Sequence, residues 1–230
     1  MTKRPEHSEA AEYYFTYIDK VPHGHICRIL QSQSVDILPL LEGLSESQSD
    51  YRYAADKWSI REVLAHLNDC ERLFVFRAFW FARGFNSPLP SFDQNVAMLA
   101  AGASQRSWAD HLAEFRAVRA ASVAFFNGLP DEAWDKRGTA SDNPFSVRAL
   151  AYITAGHVAH HVGWASQSAA RPATNPIVTR TRAMRRSIVI SEIAAEWRPS
   201  LQPRQPIPGT IPASGNVVRN GTRTRRTATP

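Results

Sequence analysis

The sequence predicts an all-α protein, a four-helix bundle over residues 24–170. Three observations predict it: four long segments with apolar residues at spacings of three and four, capping signals at the starts of two of them, and no sustained alternation of apolar and polar residues that would make a strand. A leader, residues 1–23, precedes the bundle, and an Arg/Pro-rich tail, residues 171–230, follows it. The hydrophobic fraction of 43%, with six Trp and eleven Phe, supplies enough apolar material for one core.

The leader is polar except for an aromatic patch, Tyr13, Tyr14, Phe15 and Tyr17, and ends at Pro22 and Gly24. The first helix, about 24–42, presents Ile26, Leu30, Ile37, Leu38 and Leu41 on one side. The second begins at Ser59, which forms a capping box with Glu62; Trp58 in front can staple onto the first turns. Ile60, Val63, Leu64, Leu67, Cys70, Phe74 and Ala78 carry its apolar period to about Ala82. A long loop containing Pro88 and Pro90 closes that region.

Ser107 and Asp110 start the third helix, with Leu112, Phe115, Val118, Ala121 and Phe125 inside, and Gly128 and Pro130 end it near Asn127. The segment DEAWDKRGTASDNP reads as a polar connector with a helical turn at Asp131–Trp134. The last helix runs from about Ser146 to Ser168 through Val147, Leu150, Ile153, His157, His161 and Ala165. Beyond Arg171 no apolar period persists, and the composition of Pro, Gly, Thr and Arg predicts disorder.

Charge is divided unequally. Through Ala170 there are 16 Lys and Arg against 19 Asp and Glu, whereas 171–230 holds 11 Arg against Glu192 and Glu196, so the net +6 belongs to the tail. The basic pI is therefore no argument that the body binds nucleic acid; only the tail offers a weak, salt-dependent route to it. Cys27 and Cys70 lie in apolar helical patterns, as buried free thiols in a reducing compartment would. No signal peptide and no apolar run long enough to span a bilayer is present, so a cytoplasmic protein with no membrane partner is expected. Homodimerisation through a bundle face is compatible with such a protein.

The sharpest motif is GHVAHH, residues 156–161. His157 and His161, four apart, lie within about 40° of each other on one helical face, while His160 points roughly 100° away from His161. A catalytic zinc usually takes three protein ligands, and the third candidate is His66, mid-helix and near Val63, Leu67 and Cys70. The bland reading, an HxxxH pair arising by chance on a bundle surface, has even standing for the pair alone and loses ground once His66 is added. Three imidazoles in an apolar seam are costly if charged and poorly satisfied if neutral, and a divalent cation resolves the conflict. Asp69 and Thr154, one turn from His66 and His157, are candidates to orient the rings.

Glu71, Arg72, Arg77, Arg116 and Arg119 are surface ions on the simplest reading. As pocket residues, Glu71 could shuttle a proton and an Arg such as Arg77 could hold an anionic group, making Glu71 and Arg77 the candidate catalytic side chains. Asp93 and Gln94 could line an entrance from the loop. No GxSxG, CxxC, Walker loop or HExxH points to another catalytic class.

Four blocks in order, YAADKWSIREVLAHLNDCERLFVFRAFWFARG, LPSFDQN, HLAEFRAVRAASVAFFNGLP and SVRALAYITAGHVAHHVG, resemble the DinB-like superfamily of DinB/YfiT-type metalloenzymes, which is distinct from the DNA polymerase of similar name. The leader EYYFTYIDKVPHG resembles the same group. The resemblance implies His66, His157 and His161 as ligands of zinc or nickel. It also implies thiol-dependent S-transfer or isomerisation, with a low-molecular-weight thiol such as mycothiol or bacillithiol and a small electrophile as partners. A metal-dependent hydrolase and a non-catalytic, stress-associated metal-binding protein are the alternatives. Ser91 stands where the group has glycine in LPGF, and WASQSAARPATNP departs from the usual end of the last helix.

Overall fold

The computed structural model describes residues 3–52 and 54–162, all within the unit Met1–Trp197. Helix α1 spans Phe15–Ile18, α2 Ile26–Glu42, α3 Glu46–Ser49, α4 Ile60–Ala82, α5 Gln94–Ala100, α6 Trp108–Asn127 and α7 Val147–Val162. Strands β1, Arg137–Ala140, and β2, Asn143–Ser146, form an antiparallel hairpin.

The long helices α2, α4, α6 and α7 make the bundle. α4 packs against α6 and α7, and α2 packs against the same two, so α2 stands diagonal to α4 and α6 diagonal to α7. Chain neighbours α2 and α4, and likewise α6 and α7, are thus separated across the core, so neither pair can be joined by a tight hairpin. The caps hold as their chemistry dictates: Ser59 and Glu62 complete a capping box, and Ser107 accepts from the Asp110 amide. No helix among the described residues is long and apolar enough to cross a membrane. The tail at 171–230 and the last turns expected up to Ser168 lie outside the described residues.

Two segments differ from the sequence expectation. The polar connector after α6 contains the β-hairpin, whose turn places Ser141 and Asp142 at φ of 50° and 58°. Those left-handed values suit a two-residue primed turn, but Ser-Asp lacks the glycine that usually announces one, and four-residue strands are too short to alternate visibly. Gly138 is required here because a Cβ would stand 2.1 Å from the Phe81 ring. In the long loop, Asp93 accepts from the Asn95 and Val96 amides at 2.8 and 3.2 Å and starts α5, so Asp93 and Gln94 begin a helix.

The leader is built into the core. Tyr14, Phe15, Tyr17, Ile18 and Val21 are buried, and α1 lies against α7. Gly156 makes this approach possible, since a Cβ there would fall 2.1 Å from the Tyr17 carbonyl oxygen. Arg4 ties the segment together by donating to the Ile18 and Val21 carbonyls at 2.6 and 2.9 Å. Glu9, also buried, accepts from the Ser146 hydroxyl and pairs with Arg148.

Candidate metal centre

His66 sits in the second turn of α4, and His157 and His161 in the last turns of α7, so the start of one helix lies beside the end of the other. The three rings close on one another, with centroids 5.0 Å apart for His66 and His157, 5.3 Å for His66 and His161, and 4.8 Å for His157 and His161. The His66 and His157 Nε2 atoms are 3.2 Å apart, and one ring nitrogen from each residue lies within 4.8 Å of the other two.

All three side chains are buried, and burial sets their protonation. It pushes His66 down to about 4 and holds His157 and His161 well below the ordinary imidazole range, with the neighbouring imidazoles adding to the effect. Neutral imidazole is the form that ligates a metal. Tetrahedral coordination at the usual zinc–nitrogen distance needs nitrogens about 3.4 Å apart. The 3.2 Å pair meets that as it stands, the third nitrogen lies within 4.8 Å of both, and neutral imidazole nitrogens are the donor type a divalent ion takes.

Aromatic groups wall the cluster. Trp58 lies 5.0 Å from His66, Phe74 5.6 Å from His157 and Tyr17 5.2 Å from His157, the last two edge to face. Cys70, a buried free thiol like Cys27, puts its Sγ 3.5 Å from His66 Nδ1 and 3.7 Å from Nε2, against the ring rather than in line with one nitrogen. Burial pushes the Cys70 thiol and the Tyr17 phenol upward, so both stay protonated. A cavity of about 10 Å³ beside His161 is lined by Ile37, Leu41, Ile60, Leu64, Leu67 and Phe115, an apolar wall that keeps the site's flank dry. His160 turns to the side, facing Tyr17 at 5.3 Å.

The other candidates are placed differently. Glu71 is not a free proton carrier: both its oxygens are taken by the Arg119 guanidinium at 2.8 Å, in a fully buried pair. Arg119 also donates to the Leu30 carbonyl and to Gln33 Oε1, and Gln33 donates to the Ala155 carbonyl, so this network joins all four long helices. Five residues separate Glu71 from His66, which turns it roughly 140° around α4 and away from the cluster. Arg77 is buried and donates to the Pro90 carbonyl and the Ser141 hydroxyl at 3.1 and 2.8 Å, fastening the loop and the hairpin turn to α4.

Arg72 bridges to Glu114 and Arg116 pairs with Glu42 on the surface. Thr154 donates to the Leu150 carbonyl, and Asp69 faces Arg72 at 3.8 Å, so neither orients an imidazole. Sequence reasoning passed over Tyr17, Phe74 and Trp58 as parts of the site. Tyr17 had one legible signal, a leader aromatic patch too large to leave in water.

A four-helix bundle with a three-histidine cluster between two of its helices defines a class of helical metal-binding folds. The sequence profile of the DinB superfamily matches residues 30–165, more than half of the chain, and the chain belongs to that superfamily. Among solved structures it is similar to YfiT from Bacillus subtilis, with a TM-score of 0.54 and 16% identity over 74% of this chain and 95% of that one. YfiT is reported as a probable metal-dependent hydrolase with an unusual four-helix bundle topology. No curated protein matches the sequence significantly.

Proposed function

We propose that the chain is a divalent-metal-dependent enzyme in which His66, His157 and His161 hold zinc or nickel, and that it transfers a low-molecular-weight thiol to a small electrophile or uses one in an isomerisation. The observation that carries the reading is the convergence of three buried, neutral imidazoles from two helices, with no carboxylate among the described residues hydrogen-bonded to any of them. A divalent cation held there supplies Lewis acidity, which makes a thiol or a water brought beside it easier to deprotonate.

The chain's own residues supply position and dryness. The rings are fixed by α4 and α7, while Trp58, Phe74 and the apolar wall around His161 exclude solvent and so strengthen electrostatic attraction at the site. The commitment of Glu71 favours a thiol. Tied to Arg119, Glu71 is not available to take a proton from water, whereas a thiol, at a pKa of about 8.5, needs far less help.

Hydrolysis is the second reading, favoured by the fold shared with YfiT. The two separate in one assay of metal-loaded protein beside His157→Ala, following thiol consumption with an electrophile and ester hydrolysis without thiol. Thiol-dependent turnover that disappears in the variant supports transfer. Turnover that proceeds equally without thiol and yields the hydrolysed product sinks it.

A further inference from the structure

Of the polar groups that touch the three histidines, one comes from the leader, upstream of the residues that the superfamily profile matches. Tyr17 lies before residue 30, on α1, and its ring meets His157 at 5.2 Å and an interplanar angle of 89°. The same ring meets His160 at 5.3 Å, so Tyr17 spans the face of α7 that carries the cluster. Its place is fixed by backbone: the Tyr17 carbonyl occupies the space that Gly156 leaves open, one residue before His157.

Counting protons gives the phenol a task. The Tyr13 and Tyr17 hydroxyls are 2.7 Å apart, and only one of their two protons is used between them. Tyr13 is 38% exposed and can satisfy its remaining lone pair with water, whereas Tyr17 is 8% exposed. When Tyr13 donates, Tyr17 keeps its own proton for another acceptor, and its buried ring lies against His157 and His160. Among the other groups against these rings, Phe74 has no polar atom, Cys70 offers a weak thiol donor, and Trp58 brings an indole N–H to the His66 side.

We infer that Tyr17 is a positioning residue, whose phenol donates a hydrogen bond to the anionic or lone-pair-bearing ligand held beside His66, His157 and His161, with Tyr13 linking it to solvent. The inference rests on the three-histidine metal reading and adds a selectivity to it: the site favours ligands whose bound atom accepts a hydrogen bond from that side.

The test uses the full chain loaded with cobalt(II), with azide as the probe anion and visible absorption as the readout. Cobalt stoichiometry and helicity are measured first, for wild type, Tyr17→Phe and Tyr13→Phe. Wild type that binds no cobalt overturns the metal reading itself. With cobalt bound in all three, Tyr17→Phe is expected to weaken azide binding about tenfold or more, the loss of one hydrogen bond to a charged group, with a smaller loss for Tyr13→Phe. Azide affinity equal to wild type in Tyr17→Phe overturns the role of Tyr17 and leaves the metal site standing. Loss of cobalt from Tyr17→Phe also overturns it, because the residue would then support the histidines rather than the ligand.

Discussion

The bundle buries two polar clusters that share α4 and α7, and they are finished in opposite ways. In the middle of the core, Glu71, Arg119 and Gln33 satisfy one another and two backbone carbonyls, charge against charge and donor against acceptor. At the end of the core, His66, His157 and His161 are desolvated, neutral and aimed at one another, with no carboxylate among the described residues hydrogen-bonded to them. The contrast shows how burial alone misleads: a closed network holds helices together, while an incomplete one of metal-ligating type could hold an ion.

The largest effect that could break this comparison is on stability at the closed network. Glu71→Ala leaves the Arg119 guanidinium buried and uncompensated, and should cost about 3–5 kcal/mol in denaturant unfolding. The metal-free His66→Ala protein should lose much less, since it removes a group that is itself costly to bury. If Glu71→Ala unfolds like wild type, the network is not structural and a proton-carrying role for Glu71 returns.

A pH effect of about 3 kcal/mol comes next, from the histidine side. Folded His66 titrates near 4, below the ordinary value of 6.5, so the unfolded chain takes up a proton that the folded chain refuses. Stability of metal-free protein should therefore fall as pH drops from about 6.5 toward 4, and the His66 contribution should level off below that. Urea unfolding across this range checks it, and His66→Ala should flatten the slope. A stability independent of pH over the window would mean that the rings are not desolvated.

Gly156→Ala sharpens the account of how α1 reaches the site. The added Cβ meets the Tyr17 backbone, and the strain should cost roughly 1–3 kcal/mol while loosening metal retention more than a surface Gly→Ala change does. The smallest effect is at the helix start: Ser59→Ala removes one half of the α4 capping box and should lower stability by about 1 kcal/mol, with His66 still able to bind.

The sequence shows some of these features and hides others, for physical reasons. The long helices and both caps are local, written in apolar periods and in Ser–x–x–Glu or Ser–x–x–Asp spacing, and the structure has them within a few residues, the end of the last helix lying outside the described residues. The histidines were legible because HxxxH on a helix fixes a face and His66 is a buried-side position on another. Glu71 and Arg119 could not be paired from sequence, because their meeting depends on α4 lying beside α6, a fact of packing rather than period. The hairpin and α5 are short and capped by residues that also occur in loops. Tyr17 reaches the site only because Gly156 lets α1 settle on α7, a long-range contact that no window reveals.

The central claim is that the three imidazoles close on one ion, and metal analysis of protein purified without an affinity tag tests it most directly, with His157→Ala alongside. The account predicts one tightly held divalent ion per chain in wild type, and its loss in His157→Ala with helicity unchanged. Equal metal content in the two proteins would contradict it.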